Sequence, residues 1–322
     1  MIEYDNGIHV KGTELWFDSK KKTGLSFISH ANIENFTPSE KILATPETIK
    51  LLSKKFSKSV VLTCPYNRPF SLGNIQVELI PSGYMLGAAQ IQLEKDGQRI
   101  IYTSNLNLKM TETAKAAEAR RCNTLILKCT FGSPNFTFPS FEKVLEDLRE
   151  FIDNTLSAGF IPVILAETFG SAQDIIKSLS ERGYKLSLEK SIYQAVKIYE
   201  KFGVEFTNYE RFKPKSIEGK VLIIPPHKSG TDRFEAIQNK RVAIVIEWSF
   251  GEGSTVKSIF RADEAFQLSN QAGHDELIKY VELVRPETVY LIHGQSTEFS
   301  KILQKRGFNA IALERPSQLN LF

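Results

Sequence analysis

Between Ser29 and Phe36 the chain sets an imidazole, a carboxylate and two carboxamides in one short run, Ser-His-Ala-Asn-Ile-Glu-Asn-Phe. The run follows the apolar segment Leu25-Ser26-Phe27-Ile28. An apolar segment ending in a polar loop is the pattern of a buried strand that delivers side chains to a site. His30 and Glu34 are metal-ligand types, and Asn32 and Asn35 stand beside them. A carboxamide is uncharged and a poor zinc ligand. Taken alone, this loop is either a weakened metal site or a loop with an incidental histidine.

Other candidate groups read more simply. Cys64, Cys122 and Cys129 cannot form a disulfide framework and lack zinc-site spacing, so they are expected to be small buried hydrophobes in a reducing compartment. His9, His227 and His274 are expected on the surface or in loops. Gly251-Glu252-Gly253 is too short for a phosphate loop and has no strand and helix around it. Lys20-Lys21-Lys22 and Lys54-Lys55 read as solvated faces, and Trp248 as packing.

The elements that must position these groups belong to a chain of 322 residues, 42% hydrophobic and 24% charged, long enough for a large core in one domain or two. A net charge of +4 is compatible with nucleic acid without arguing for it. No apolar run approaches a membrane span, and Met1 to Asp5 does not begin a signal peptide, so a cytoplasmic location is expected.

The first third predicts short strands and turns. Thr45 and Pro46 open a helix, and Asp96-Gly97 turns a hairpin between Gln90–Glu94 and Arg99–Thr103. Residues 112–121 predict a helix leading into a strand at 124–127. From Ser140 onward the pattern alternates helix and strand: a long amphipathic helix to Leu156, then strands near 162–165, 221–224 and 242–246 with helices between them. A helix at 275–283, a strand at 289–292, a helix at 296–304 and a strand near 310–312 close the chain.

With those pieces in order, the sequence resembles the β-CASP branch of the metallo-β-lactamase superfamily, and within it the short prokaryotic proteins described as ligase-associated DNA exonucleases or mRNA 3′-end processing factors. The resemblance covers nearly the whole chain. Ser29–Phe36 stands where that family carries His-x-His-x-Asp-His. Pro81–Gln90 resembles Gly-His-x-Leu-Gly-Ser-Ala-Gln, with Tyr84 for the histidine. Tyr102-Thr103-Ser104-Asn105 resembles Tyr-Thr-Gly-Asp, with Asn105 for the metal-bridging aspartate. Leu127–Gly132 resembles the Glu-x-Thr-Tyr-Gly segment, with Lys128 for the acid. Ala265–Gly273 resembles Phe-x-Leu-Ser-x-His-Ala-Asp, with Gln271 and Gly273 for its histidine and aspartate. Tyr290–Gln295 keeps the terminal His-Gly, at His293.

The resemblance implies an αββα sandwich of α/β (α+β) class with an inserted α/β cap: core over 1–135, cap over 136–254, core again over 255–322. It also implies a phosphodiesterase using two zinc ions, and the departures speak against that chemistry. Only His30, Glu34 and His293 keep ligand character; Asn32, Asn35, Tyr84 and Asn105 replace the rest, and Lys128 adds positive charge. We therefore expect no metal cofactor and no catalysis. The expected role is a protein-binding or scaffold subunit in DNA repair or RNA processing, with an active β-CASP nuclease or such a complex as partner. A metal-independent nucleic-acid binder and a hydrolase with a rebuilt metal site are the alternatives. If Lys128 is buried it should find an anion, either Glu34 or a nucleic-acid phosphate.

Overall fold

A computed structural model describes residues 2–33, 37–248 and 252–313. The chain divides into two compact units. One comprises residues 1–110, 114–134 and 271–322, the other residues 111–113 and 135–270.

In the first unit, β1 (Ile2–Tyr4), β2 (Ile8–Val10), β3 (Leu15–Phe17), β4 (Leu25–Phe27), β5 (Lys41–Ala44) and β6 (Val60–Thr63) lie in chain order in one sheet. From β3 onward its neighbours are parallel. A second sheet holds β7 (Phe70–Leu72), β8 (Ile75–Pro81), β9 (Ala89–Lys95), β10 (Gln98–Thr103) and β11 (Thr124–Lys128). The turn between β9 and β10 has Asp96 and Gly97 both at positive φ, as a tight hairpin requires. Alternate residues of both sheets, among them Phe17, Phe27, Leu79, Ile91 and Tyr102, interlock as one buried core.

The second unit is a single parallel sheet. It is built from β12 (Ile161–Ala166), β13 (Leu186–Leu188), β14 (Tyr209–Arg211), β15 (Val221–Ile224), β16 (Lys240–Ile246) and β17 (Glu264–Gln267), in the order β14-β13-β15-β12-β16-β17. α2 (Phe141–Ser157), α3 (Ser171–Glu181) and α4 (Lys190–Lys201) cover one face. Ser140 Oγ caps α2 by accepting from the Lys143 N–H at 3.2 Å. The opposite face carries a smaller core around Phe212, Leu222 and Phe234, beneath the short α5 (Asp232–Glu235) and α6 (Gly253–Phe260).

The chain then returns to the second sheet of the first unit through α7 (His274–Val284), β18 (Thr288–Ile292), α8 (Ser296–Lys305) and β19 (Ala310–Ala312). β18 pairs in parallel with β11, and β19 with β18. α7 and α8 bury Tyr280, Val281, Phe299 and Leu303 against the outer face of this sheet. On the far side, α1 (Pro46–Leu51) starts at Thr45, whose hydroxyl accepts from the Thr48 N–H. Two sheets with helices outside them are the αββα layering expected from the resemblance.

Three expectations need correction. The return to the first unit comes after Asn270, not at 255, because β17 pairs with β16 and so belongs to the inserted sheet. Residues 112–121 form no helix, because their backbone groups bond to other segments. The Ala117 N–H donates to Asn107 O and the Glu118 N–H to Pro81 O, while Glu118 O accepts from Gln90 Nε2. His274 is buried, and its Nδ1 lies 2.7 Å from Gly132 O. The three thiols are buried and free, and burial pushes those of Cys122 and Cys129 up to about 12. Among the described residues no helix is long and apolar enough to cross a membrane.

Candidate functional site

The parallel strands β10, β11 and β18 end together, because Thr103 pairs with Leu127 and Lys128 with Ile292. Their carboxyl ends therefore present Asn105, Lys128 and His293 at one edge of the sheet. Gln271 arrives from the sequence-distant return segment. The N–H of its neighbour Ala272 donates to Leu106 O at 2.6 Å, which brings that segment alongside Asn105. His30 and Asn32 come from the loop after β4, and the Ala89 N–H ties that loop to the second sheet through Ser29 O at 2.8 Å. Glu34 and Asn35 lie outside the described residues.

Tyr84 sits in the loop between β8 and β9. That loop closes tightly at Gly83, at φ 80, where an added Cβ would lie 2.1 Å from Asn107 O. Thr45 and Thr48 hold its far side, both hydroxyls donating to Gly87 O. Gln90, part of the matched segment, works structurally: its Nε2 donates to Pro81 O at 2.8 Å and to Glu118 O at 2.7 Å, and Tyr280 OH donates to its Oε1.

Two contacts define the site. The Lys128 ammonium donates to Asn105 Oδ1 at 2.8 Å, and Asn32 Nδ2 donates to the Tyr84 hydroxyl at 3.0 Å. Tyr84 also meets His30 edge-on, ring centroids 5.0 Å apart. His30 is 3% exposed, and its Nδ1 has no hydrogen-bond partner among the described residues. Burial, reinforced by the nearby charge of Lys128, pulls its pKa down to about 3. This imidazole is neutral in every ordinary buffer.

His293 holds a left-handed backbone at φ 58, uncommon for a residue with a side chain. The following Gly294 is also left-handed, and a Cβ there would lie 2.5 Å from Thr130 Cα. The two residues make a sharp turn against β11 that only glycine permits at its second position. The His293 ring meets Tyr4 edge-on, with the phenol oxygen 3.4 Å from Nδ1. His293, Tyr4, Asp18 and Tyr102 share a cavity of about 20 Å³, room for about one water molecule.

Asp18 is the group that the sequence reading passed over. It closes β3 at φ 46 and accepts three hydrogen bonds: from the Ser29 N–H at 2.8 Å, from Ser29 Oγ at 2.6 Å and from Tyr102 OH at 2.7 Å. Burial raises its pKa, while those donors and the charge of Lys128 oppose the rise. It braces the loop that carries His30. The signal for it was an acid ending the apolar strand Leu15-Trp16-Phe17.

Among the described residues the donors do not make a two-zinc set. Zinc takes neutral imidazole, thiolate and carboxylate ligands. The position expected to bridge two ions carries a carboxamide whose oxygen already accepts from an ammonium. Beside the buried imidazole stand an amide and a phenol bonded to each other. Among the described residues no cluster of three or more histidines, cysteines and acids could hold a metal. Lys128 is half-buried, and the carboxamide of Asn105 is one of its partners; Glu34, the acid expected to meet it, lies outside the described residues.

The sequence matches no protein-family profile. Over 99% of its length it is 28% identical to a protein of Opitutus terrae named a probable DNA ligase, covering 32% of that protein. Over 39% of its length it is 30% identical to an RNase J-like protein of Methanocaldococcus jannaschii, again covering 32% of it. The chain thus spans about a third of the length of these curated relatives. In three dimensions it is similar to a crystal structure of a protein of unknown function from Enterococcus faecalis V583, with a TM-score of 0.63 at 15% identity over 90% of this chain and 79% of the other. That last likeness concerns the fold alone. Together with the layered sandwich and its inserted parallel sheet, the sequence relatives make this chain a relative of the β-CASP metallo-β-lactamase nucleases.

Proposed function

We infer that this β-CASP relative has no metal-dependent nuclease chemistry and acts by binding, as a partner or scaffold subunit in nucleic-acid processing. The observation that carries this reading is the 2.8 Å contact between the Lys128 ammonium and Asn105 Oδ1. It sets a positive charge and a neutral acceptor where the family's reaction needs anionic ligands to hold two ions and a bridging water. The substituted groups are polar and bonded to one another, so the pocket keeps its shape while losing its affinity for dications.

The choice of partner rests on the Opitutus terrae relative. There a stretch matching nearly this whole chain lies on the same polypeptide as the remainder of a protein named a probable DNA ligase. A DNA-joining enzyme is the partner class that this arrangement favours, and an active β-CASP nuclease is the rival.

The test is a nuclease assay on single- and double-stranded DNA and RNA with zinc, manganese or magnesium, comparing the wild type with a His30→Ala, His293→Ala double variant. Both should be indistinguishable from buffer. Cleavage by the wild type that vanishes in the double variant overturns the reading.

A further inference from the structure

The geometry points to a second binding site, in the inserted unit, for a compact organic phosphate carrying an apolar ring, of the size of a nucleoside monophosphate. β13, β14 and β15 are neighbours in the parallel sheet and end at the same edge. Beyond their carboxyl ends a cavity of about 230 Å³ opens under α5. In open parallel sheets this edge is where ligands are held.

Its floor is apolar: Phe212, Leu222, Ile224 and Phe234 are all buried and all line it. Four cations stand around it, each from a different place in the chain. Lys190 begins α4, Arg211 ends β14, Lys228 follows β15 and Arg233 lies on α5. The Arg233 guanidinium lies over the Phe212 ring, 5.1 Å from its centroid, and so hangs above the floor. Among the described residues no carboxylate forms an ion pair with any of the four.

The one acid in the lining, Glu189, is already engaged. Its Oε2 accepts from the Ser191 N–H at 2.6 Å and caps α4. The helix start is therefore occupied by the chain's own anion, and an incoming anion is left to the side-chain cations. Arginine suits phosphate through its planar fork of donors, and lysine adds a point charge. The volume lies just under the roughly 300–1,000 Å³ of drug-sized ligand pockets. That space takes one ring on the apolar floor with its phosphate at the charged rim, and it excludes a longer strand.

This site is independent of the reading of the first unit, because none of its lining residues belongs to that unit. The experiment titrates the full chain by calorimetry with AMP, adenosine and inorganic phosphate in separate runs. AMP should bind at least about tenfold more tightly than either fragment, since it alone uses both floor and rim. Arg211→Gln and Arg233→Gln should together weaken AMP by about tenfold or more, the equivalent of one lost charge-assisted contact. Both arginines are exposed, so the variants should fold, and an unchanged melting temperature checks this. Lys215→Gln, outside the cavity, should change nothing. The site is refuted if AMP binds no more tightly than phosphate, or if Lys215→Gln matches the arginine variants.

Discussion

Replacing Asn105 by Asp and Lys128 by Glu in one variant should give the first unit an affinity for zinc that the wild type lacks. Asn105→Asp takes the charge from 0 to −1, and Lys128→Glu takes it from +1 to −1, a total change of −3 at two groups now 2.8 Å apart. At about 5 Å and an effective dielectric near 20, each unit-charge pair is worth about 3 kcal/mol, roughly a hundredfold in affinity. His30 is already neutral and ready to ligate. In a chelating buffer the variant should be less stable than wild type, since its two new carboxylates repel. Saturating zinc should reverse that, adding about 2.7 kcal/mol at a hundredfold excess over Kd. Thermal melts with and without zinc read this directly. A wild-type melting temperature that also climbs with zinc sinks the metal-free reading. A variant indifferent to zinc shows that this pair is not what excludes the metal.

What was legible in the sequence follows from the range over which each signal acts. Thr45-Pro46, Ser140 and Asp96-Gly97 are local signals, satisfied by bonds within a few residues, and each appears where it was expected. The long helix α2 likewise declared itself by its apolar face. Residues 112–121 misled because their helix-forming composition carries no record of Asn107, Pro81 and Gln90, whose backbone and side-chain groups claim their hydrogen bonds. The order of site residues along the chain was readable. Their pairing was not: nothing in the spacing announces that Asn105, 23 residues before Lys128, accepts from its ammonium. Asp18 escaped for the same reason, since its partners Ser29 and Tyr102 lie 11 and 84 residues away. The end of the inserted unit was misplaced because β17 looks, in sequence, like any short strand; only its pairing with β16 assigns it.

A strong pH effect, opposite in sign to that of the buried His30, should come from Asp174, at the start of α3. It is 1% exposed, and its carboxyl accepts from Thr113 Oγ1 at 2.7 Å, Thr111 Oγ1 at 3.0 Å and Asn270 Nδ2 at 2.6 Å. Burial raises its pKa from the ordinary 3.8 to about 6, against the pull of those donors. The folded state thus keeps a proton that the unfolded chain has already released. The group's contribution to stability is full below the unfolded value, falls as pH rises toward about 6, and is constant above that. The displacement is worth about 3 kcal/mol. Asp174→Asn removes the titration while keeping a polar group of the same shape, and the two threonine hydroxyls can turn to accept from its amide. Denaturant unfolding of wild type and variant at about pH 4 and about pH 7 should therefore show the variant gaining about 2 kcal/mol on the wild type between the two, the rest of the displacement lying below about pH 4. Asp174→Leu should behave differently. It strands three buried donors and destabilises at both pH values, by about 1–3 kcal/mol for each donor left without an acceptor. A stability difference between wild type and Asp174→Asn that stays flat across this range means the carboxyl is ionised in the fold throughout, held by its three donors against the cost of burial.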